Sequence, residues 1–130
     1  MDEFGLHLML DLGKCSKKKL VSQSYIYDIL NELPEKIGMH KMTLPHVYKW
    51  KDKFSTSDQA GITGVVTLAE SHATIHTFPD YNFVFIDVFS CKSFDTDKAI
   101  RLFKKYFGAK DIKPKVETRG VNFPKKVYKS

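Results

Sequence analysis

The stretch Glu70-Ser71-His72-Ala73-Thr74-Ile75-His76-Thr77-Phe78-Pro79-Asp80 sets a carboxylate, a hydroxyl and two imidazoles within seven residues. Gly61-Ile62-Thr63-Gly64-Val65-Val66-Thr67-Leu68-Ala69 precedes it, and Asn82-Phe83-Val84-Phe85-Ile86-Asp87-Val88-Phe89-Ser90-Cys91 follows. Both flanks are rich in β-branched or aromatic residues and read as strands. The pattern predicts adjacent strands over Gly61–Ala69 and Ala73–Phe78, with a tight turn near Glu70 to His72. Pro79-Asp80-Tyr81-Asn82 supplies the next turn, and Phe83 to Phe89 a third strand of the meander. Reactive side chains are thereby mounted on a sheet, where a site is held more firmly than on a loop.

Upstream, Leu6, Leu8, Leu10 and Leu12 alternate with other residues and predict a strand with one buried face. His7 and Asp11 fall on its other face, turned to solvent or to an interface. Gly13 breaks the strand and Cys15-Ser16 opens a loop. From Ser22 to Ile37 the spacing becomes helical, with Ile26, Ile29, Leu30, Leu33 and Ile37 on one side. Ser22 or Ser24 caps its start and Gly38 suits a left-handed cap at its end. Pro34 is expected to kink or divide that helix. Met39 to Trp50 predicts a second strand, bent at Pro45, and Lys51 to Ala60 a polar, mobile loop.

Downstream, Asp95 is placed to cap a helix, with Phe94 able to pack on Ala99 and Asp97 near the positive end of the dipole. Ala99, Leu102, Phe103, Tyr106 and Phe107 form its buried stripe, and Gly108 ends it. Asp111 to Thr118 is the last strand, followed by Arg119-Gly120 and a basic tail. The expected architecture is α+β: a two-layer sandwich of an antiparallel sheet against two helices, ordered βαβββαβ, as one domain over residues 1–130.

A chain of 130 residues is long enough for a core without disulfide or metal staples. With 42% apolar and 28% charged residues the composition excludes a disordered chain. No apolar run approaches a membrane span, and the acidic start Met1-Asp2-Glu3-Phe4 does not resemble an export signal. Cys15 and Cys91 are therefore read as thiols in a reducing cytoplasm. The net charge of +6 is spread over Lys17-Lys18-Lys19, Lys49 to Lys53 and the tail from Lys113. It lacks the aromatic interleaving of a single-strand nucleic-acid binder, so an anionic group on a small substrate is the expected use of the excess.

The residues alone leave the chemistry open. Ser71 beside a histidine suggests acyl transfer, yet the glycines of a nucleophile elbow are missing. His72 and His76 on a strand stand about 13 Å apart, and His40 and His46 roughly 20 Å, so neither pair predicts a metal site. Cys91 is a nucleophile, a proton donor or a buried thiol. Tyr48 and Trp50 are sheet-face aromatics or platforms for a planar ligand.

Glu70 to Asp80, with Ile86-Asp87-Val88-Phe89-Ser90-Cys91, resembles the prokaryotic pyruvoyl-dependent S-adenosylmethionine decarboxylase proenzymes. Gly61-Ile62-Thr63-Gly64-Val65-Val66, Gly5-Leu6-His7-Leu8 and Arg119-Gly120 fit the same pattern, so the resemblance spans nearly the whole chain. It implies self-cleavage between Glu70 and Ser71, giving residues 1–70 as a β chain and 71–130 as an α chain with a pyruvoyl terminus. Ser71 Oγ attacks the Glu70 carbonyl, a hydroxyl such as that of Thr63 supports the oxyanion, and His76 removes the Ser71 Cα proton. The ketone so formed makes a Schiff base with the substrate amine and draws off electrons as CO₂ leaves, without metal or pyridoxal phosphate. Cys91 is implied as the acid that reprotonates the product, since a thiol of pKa about 8.5 stays protonated near neutrality.

Ser71 and His76, five residues apart on an extended chain, lie roughly 16 Å from each other on opposite faces. They meet only through a sharp turn near His72 or across two protomers. The resemblance implies a site at a dimer interface, so a homodimer of processed units is expected. Phe78 replaces a tryptophan and Asp80 a glutamate common in such proteins. The segment Met39 to Ala60 departs most, leaving Tyr48 or Trp50 to stack on an adenine and Asp80 to meet a ligand hydroxyl. The implied substrate is S-adenosylmethionine, decarboxylated for spermidine and other polyamine synthesis. Arginine or ornithine, used by related pyruvoyl enzymes, is the alternative, and a non-catalytic subunit the alternative of another class. Intact-mass spectrometry tests the cleavage: wild-type protein is expected as two fragments divided at Glu70/Ser71. Ser71→Ala is expected folded and whole, and normal cutting of that variant refutes the assignment.

Overall fold

The computed structural model describes residues 5–51, 60–69 and 71–124. Its elements follow as β1 (Gly5–Gly13), α1 (Lys17–Leu20), α2 (Gln23–Lys36), β2 (His46–Trp50), β3 (Gly61–Thr67), β4 (Ser71–Phe78), a 3-10 turn (Pro79–Tyr81), β5 (Phe83–Ser90), α3 (Thr96–Phe107) and β6 (Asp111–Arg119). The strands make one six-stranded sheet, β2-β3-β4-β5-β1-β6, with every neighbouring pair antiparallel.

Alternation decides which face is buried. Leu8, Leu10 and Leu12 of β1 stand opposite Val88, Ile86 and Val84 of β5, and all six are buried. Ile62 and Val66 of β3 and Ala73 and Ile75 of β4 continue this layer. Against it pack Ile26, Ile29, Leu30 and Leu33 of α2 and Ala99, Phe103 and Phe107 of α3. Each large side chain so buried contributes roughly 1.5–3 kcal/mol. Gly64 lets α2 approach β3: a Cβ there would lie 2.8 Å from Leu30 Cδ1. The two helices are also joined by Tyr25, whose hydroxyl donates to the Tyr106 carbonyl at 2.5 Å.

The α+β two-layer expectation holds, with changes in detail. Four strands lie between α2 and α3, the β2 segment and the three of the meander, one more than the βαβββαβ order allots. Lys17–Leu20, expected in a loop, forms a helical turn seated by the buried Leu20. The strand expected over Met39–Trp50 is confined to His46–Trp50; Met39 is buried and Lys41 makes only an isolated bridge to Leu68. Pro34 does not divide α2, since it sits in the final turn where few hydrogen bonds remain to lose. Gly38 does take a left-handed conformation, φ +80°, and Gly108 another, φ +59°, each just past its helix. Asp95 accepts from the Lys98 amide as the expected cap. Pro114 is accommodated because β6 is an edge strand. Most of the expected loop over Lys51–Ala60, residues 52–59, and the tail from residue 125 lie outside the described residues.

Thr77 is, with Ser90, one of two buried polar residues among those described. It is fully buried, donates to the Leu20 carbonyl at 2.8 Å and accepts from the Ile62 amide at 2.9 Å. The hydroxyl thus ties α1 to the sheet. Thr77→Val keeps the shape but strands two buried backbone groups, at an expected cost of about 2–4 kcal/mol. Thr77→Ser is expected to retain most of the stability; a urea titration in which both variants match wild type would discount the tie.

Candidate active site

β4 is paired along its length, from Ser71↔Ser90 to Phe78↔Phe83 with β5 and from His72↔Thr67 to His76↔Thr63 with β3. Ser71 and His72, expected in a turn, are already strand; Leu68 N donates to Ser71 O at 2.8 Å and closes the hairpin just before them. Glu70 lies outside the described residues. A sharp turn at His72 is therefore not what joins Ser71 to His76. Ser71 shares the parity of the buried Ala73, Ile75 and Thr77, whereas His72, Thr74, His76 and Phe78 share the opposite, helix-free face.

The chemistry-bearing residues fall into two groups. At one end of the sheet Ser71 stands opposite Ser90, and Cys91 follows directly. Gly5 is pressed against this corner: a Cβ would lie 2.0 Å from the Ser90 oxygen and 2.8 Å from the Cys91 Cα, so only glycine lets β1 close on it. Ser90 Oγ, fully buried, accepts from the Lys92 amide at 3.1 Å and holds the turn after β5.

The second group lies further along β4 on the open face. Thr63 Oγ1 is 3.3 Å from His76 Nδ1, a contact set by the direct pairing of these residues. Tyr48 is opposite Thr63, and Trp50 opposite Gly61, so both candidate aromatics stand on this face. Trp50 meets Phe78 edge to face, centroids 6.0 Å apart. Asp80 is exposed in the turn beyond β4. The seven strand steps from Ser71 to Phe78 cover about 23 Å, so Asp80 and Trp50 are remote from Ser71 of the same chain.

Phe85 is a member of this aromatic row that sequence reading passed over. It pairs with His76, is 41% exposed, and contacts Phe78 at 5.5 Å and Phe83 at 5.0 Å. The signal was present: buried Val84, Ile86 and Val88 leave Phe83, Phe85, Asp87 and Phe89 on the other face. His7 is engaged there too, its Nε2 2.9 Å from Asp87 Oδ1.

The cysteines differ in setting. Cys15 is buried, its thiol 3.5 Å from the Leu12 carbonyl, and burial pushes its pKa up from 9.0 to about 11. It has the character of a core thiol. Cys91 is half-buried beside the Ser71 corner. Among the described residues no group of three or more His, Cys, Asp or Glu gathers as a metal site, and no helix is long and apolar enough to cross a membrane.

The chain matches the family described as S-adenosylmethionine decarboxylase over residues 6–120. It is 31% identical over 117 residues to the S-adenosylmethionine decarboxylase proenzyme of Archaeoglobus fulgidus, covering 89% of this chain and 97% of that one. The proenzyme of Clostridium botulinum strain Langeland is likewise 31% identical over 117 residues, 89% and 94% of the two chains. The crystal structure of adenosylmethionine decarboxylase from Aquifex aeolicus superposes with a TM-score of 0.75 at 29% identity, covering 92% and 93%. By sequence and by fold, this chain belongs to the S-adenosylmethionine decarboxylase family.

Proposed function

We propose that the chain is a self-processing, pyruvoyl-dependent decarboxylase of S-adenosylmethionine, working in the cytoplasm as a homodimer. The observation that carries this reading is the pairing of Thr63 with His76 on one face, together with Ser71 set against the Ser90–Cys91 corner. These are the residue types that self-cleavage and product protonation require, gathered in two groups on one sheet.

Ser71 fits as the source of the pyruvoyl group. It opens a strand held by a neighbour on each side, so a new terminus made there stays anchored. Such a group supplies the electron sink for loss of CO₂. The chain's own residues do the rest. Thr63 orients the His76 ring, and His76 serves as the base during processing. Cys91 supplies a proton to the product carbon. Because Ser71 and His76 have opposite parity on one straight strand, His76 and the aromatic row of one protomer serve Ser71 of its partner. Tyr48, Trp50, Phe78 and Asp80 then meet the adenosine end of the substrate, remote from the reacting carbon. S-adenosylmethionine is put ahead of arginine or ornithine because the relatives that match nearly full length bear its name.

CO₂ release from purified protein given S-adenosylmethionine, arginine and ornithine in parallel tests the substrate. S-adenosylmethionine is expected to be the productive one, and release from a basic amino acid alone would move the assignment to it. Processed protein that releases CO₂ from none would be a silent subunit. Cys91→Ala is expected to cleave itself yet lose decarboxylation by about 10²–10⁴-fold, the usual worth of a placed acid. Full activity in that variant would make Cys91 a packing residue. Sedimentation tests the dimer: a monomer that still cuts itself would exclude a site shared between protomers.

A further inference from the structure

Three rows of paired residues cross the sheet at the Ser71 end. Arg119 of β6 stands opposite Gly5 of β1; Leu6 of β1 meets Ser90, which meets Ser71; His7 meets Phe89, which meets His72. Phe89 is two residues before Cys91, on the open face. Its ring is surrounded: His7 at 6.2 Å from the β1 side, His72 at 5.9 Å from the β4 side, and the Arg119 guanidinium carbon 4.4 Å from its centroid. Arg119 is rooted two strands away, so its side chain reaches across β1 to lie on the β5 ring. That is a long reach for an exposed arginine on an edge strand, and the ring fixes where its charge rests.

Two carboxylates among the described residues of this part of the sheet are engaged elsewhere. Asp87 is held by His7 at 2.9 Å and Glu117 by Lys115 at 3.2 Å. Among the described residues no carboxylate pairs with Arg119. A π face takes no conventional hydrogen bond, so seating on Phe89 leaves the five N–H donors for an anion. Planar, bidentate recognition of a carboxylate is what such a guanidinium does best.

We propose that Arg119, seated on Phe89, binds the substrate's α-carboxylate, the group that departs as CO₂. This rests on the decarboxylase reading above and deepens it. It holds for any of the three substrates considered, since each carries an α-carboxylate. It also gives a reason for the crossing of β1: the cation is delivered to the Ser71 end of the sheet, on the open face that carries His72 and Phe89. The ion pair is made when substrate binds and weakens as the carboxylate loses its charge, so it lowers KM and does not speed the chemical step.

The test compares wild type, Arg119→Gln and Arg119→Lys, each first shown by intact mass to have processed itself. Steady-state CO₂ release from S-adenosylmethionine is measured, with arginine and ornithine alongside, together with inhibition by decarboxylated S-adenosylmethionine, which has no carboxylate. Arg119→Gln is expected to raise KM about ten- to a hundredfold with kcat within a few-fold, the range of a charge-assisted hydrogen bond. Inhibition by the decarboxylated compound is expected to stay within about twofold, and Arg119→Lys to fall between. An unchanged KM overturns the proposal, as does a parallel loss of affinity for the decarboxylated compound, which would mark Arg119 as structural; both leave the decarboxylase reading standing. Wild-type protein that releases CO₂ from none of the three overturns that reading, and the carboxylate subsite with it.

Discussion

β4 is hydrogen-bonded on both flanks, and that double ladder fixes how every residue of the reactive stretch points. Its parity cannot be altered locally. A slip of one residue would bring His76 and Thr74 into the core and turn out Ala73, Ile75 and Thr77, all now buried. The core therefore dictates the site's division: Ser71 on one parity, His76 on the other. The interval of five between them is odd, and an odd interval on a straight strand always separates faces. Under the proposed function this is why a single copy of the sheet carries two incomplete halves of the chemistry. On that reading a partner would supply the missing half without disturbing either core.

Much of this was legible because alternation is a strong signal. The even-numbered leucines of β1 and the valine–isoleucine positions of β5 announce their face, and their register in the sheet follows it residue for residue. Helix ends were equally plain, since Asp95 and the glycines at 38 and 108 each satisfy a specific backbone need. The segment before β2 misled because Met39, Met42 and Leu44 are apolar without alternating with a paired neighbour. Met39 is buried, while Met42 and Leu44 are 68% and 66% exposed. The turn placed over Glu70–His72 misled for the opposite reason: Ser71 and His72 have turn-like or polar side chains, but strand pairing on both sides overrides that preference. Arg119 on Phe89 could not be read at all. Residues thirty positions apart meet only because β1, from the far end of the chain, inserts between β5 and β6.

That insertion bears on what a cut at Glu70–Ser71 would do to the fold. Residues before the cut supply β1, α1, α2, β2 and β3, and those after it supply β4, β5, α3 and β6. In the sheet the two sets interleave: β2 and β3 lie beside β4 and β5, then β1 stands between β5 and β6. Separating the fragments would require breaking the β3–β4, β5–β1 and β1–β6 ladders and opening the core beneath them. Leu68 N donates to Ser71 O just beside the proposed cut, so under that reading the cut would remove a covalent link whose ends the neighbouring hydrogen bonds already hold. With β1 held between β5 and β6, the fold would be indifferent to the loss of that one peptide bond. Under the proposed function the chain would need that indifference, because the corner formed by Gly5, Ser90 and Cys91 would have to keep its shape after the bond beside it is gone.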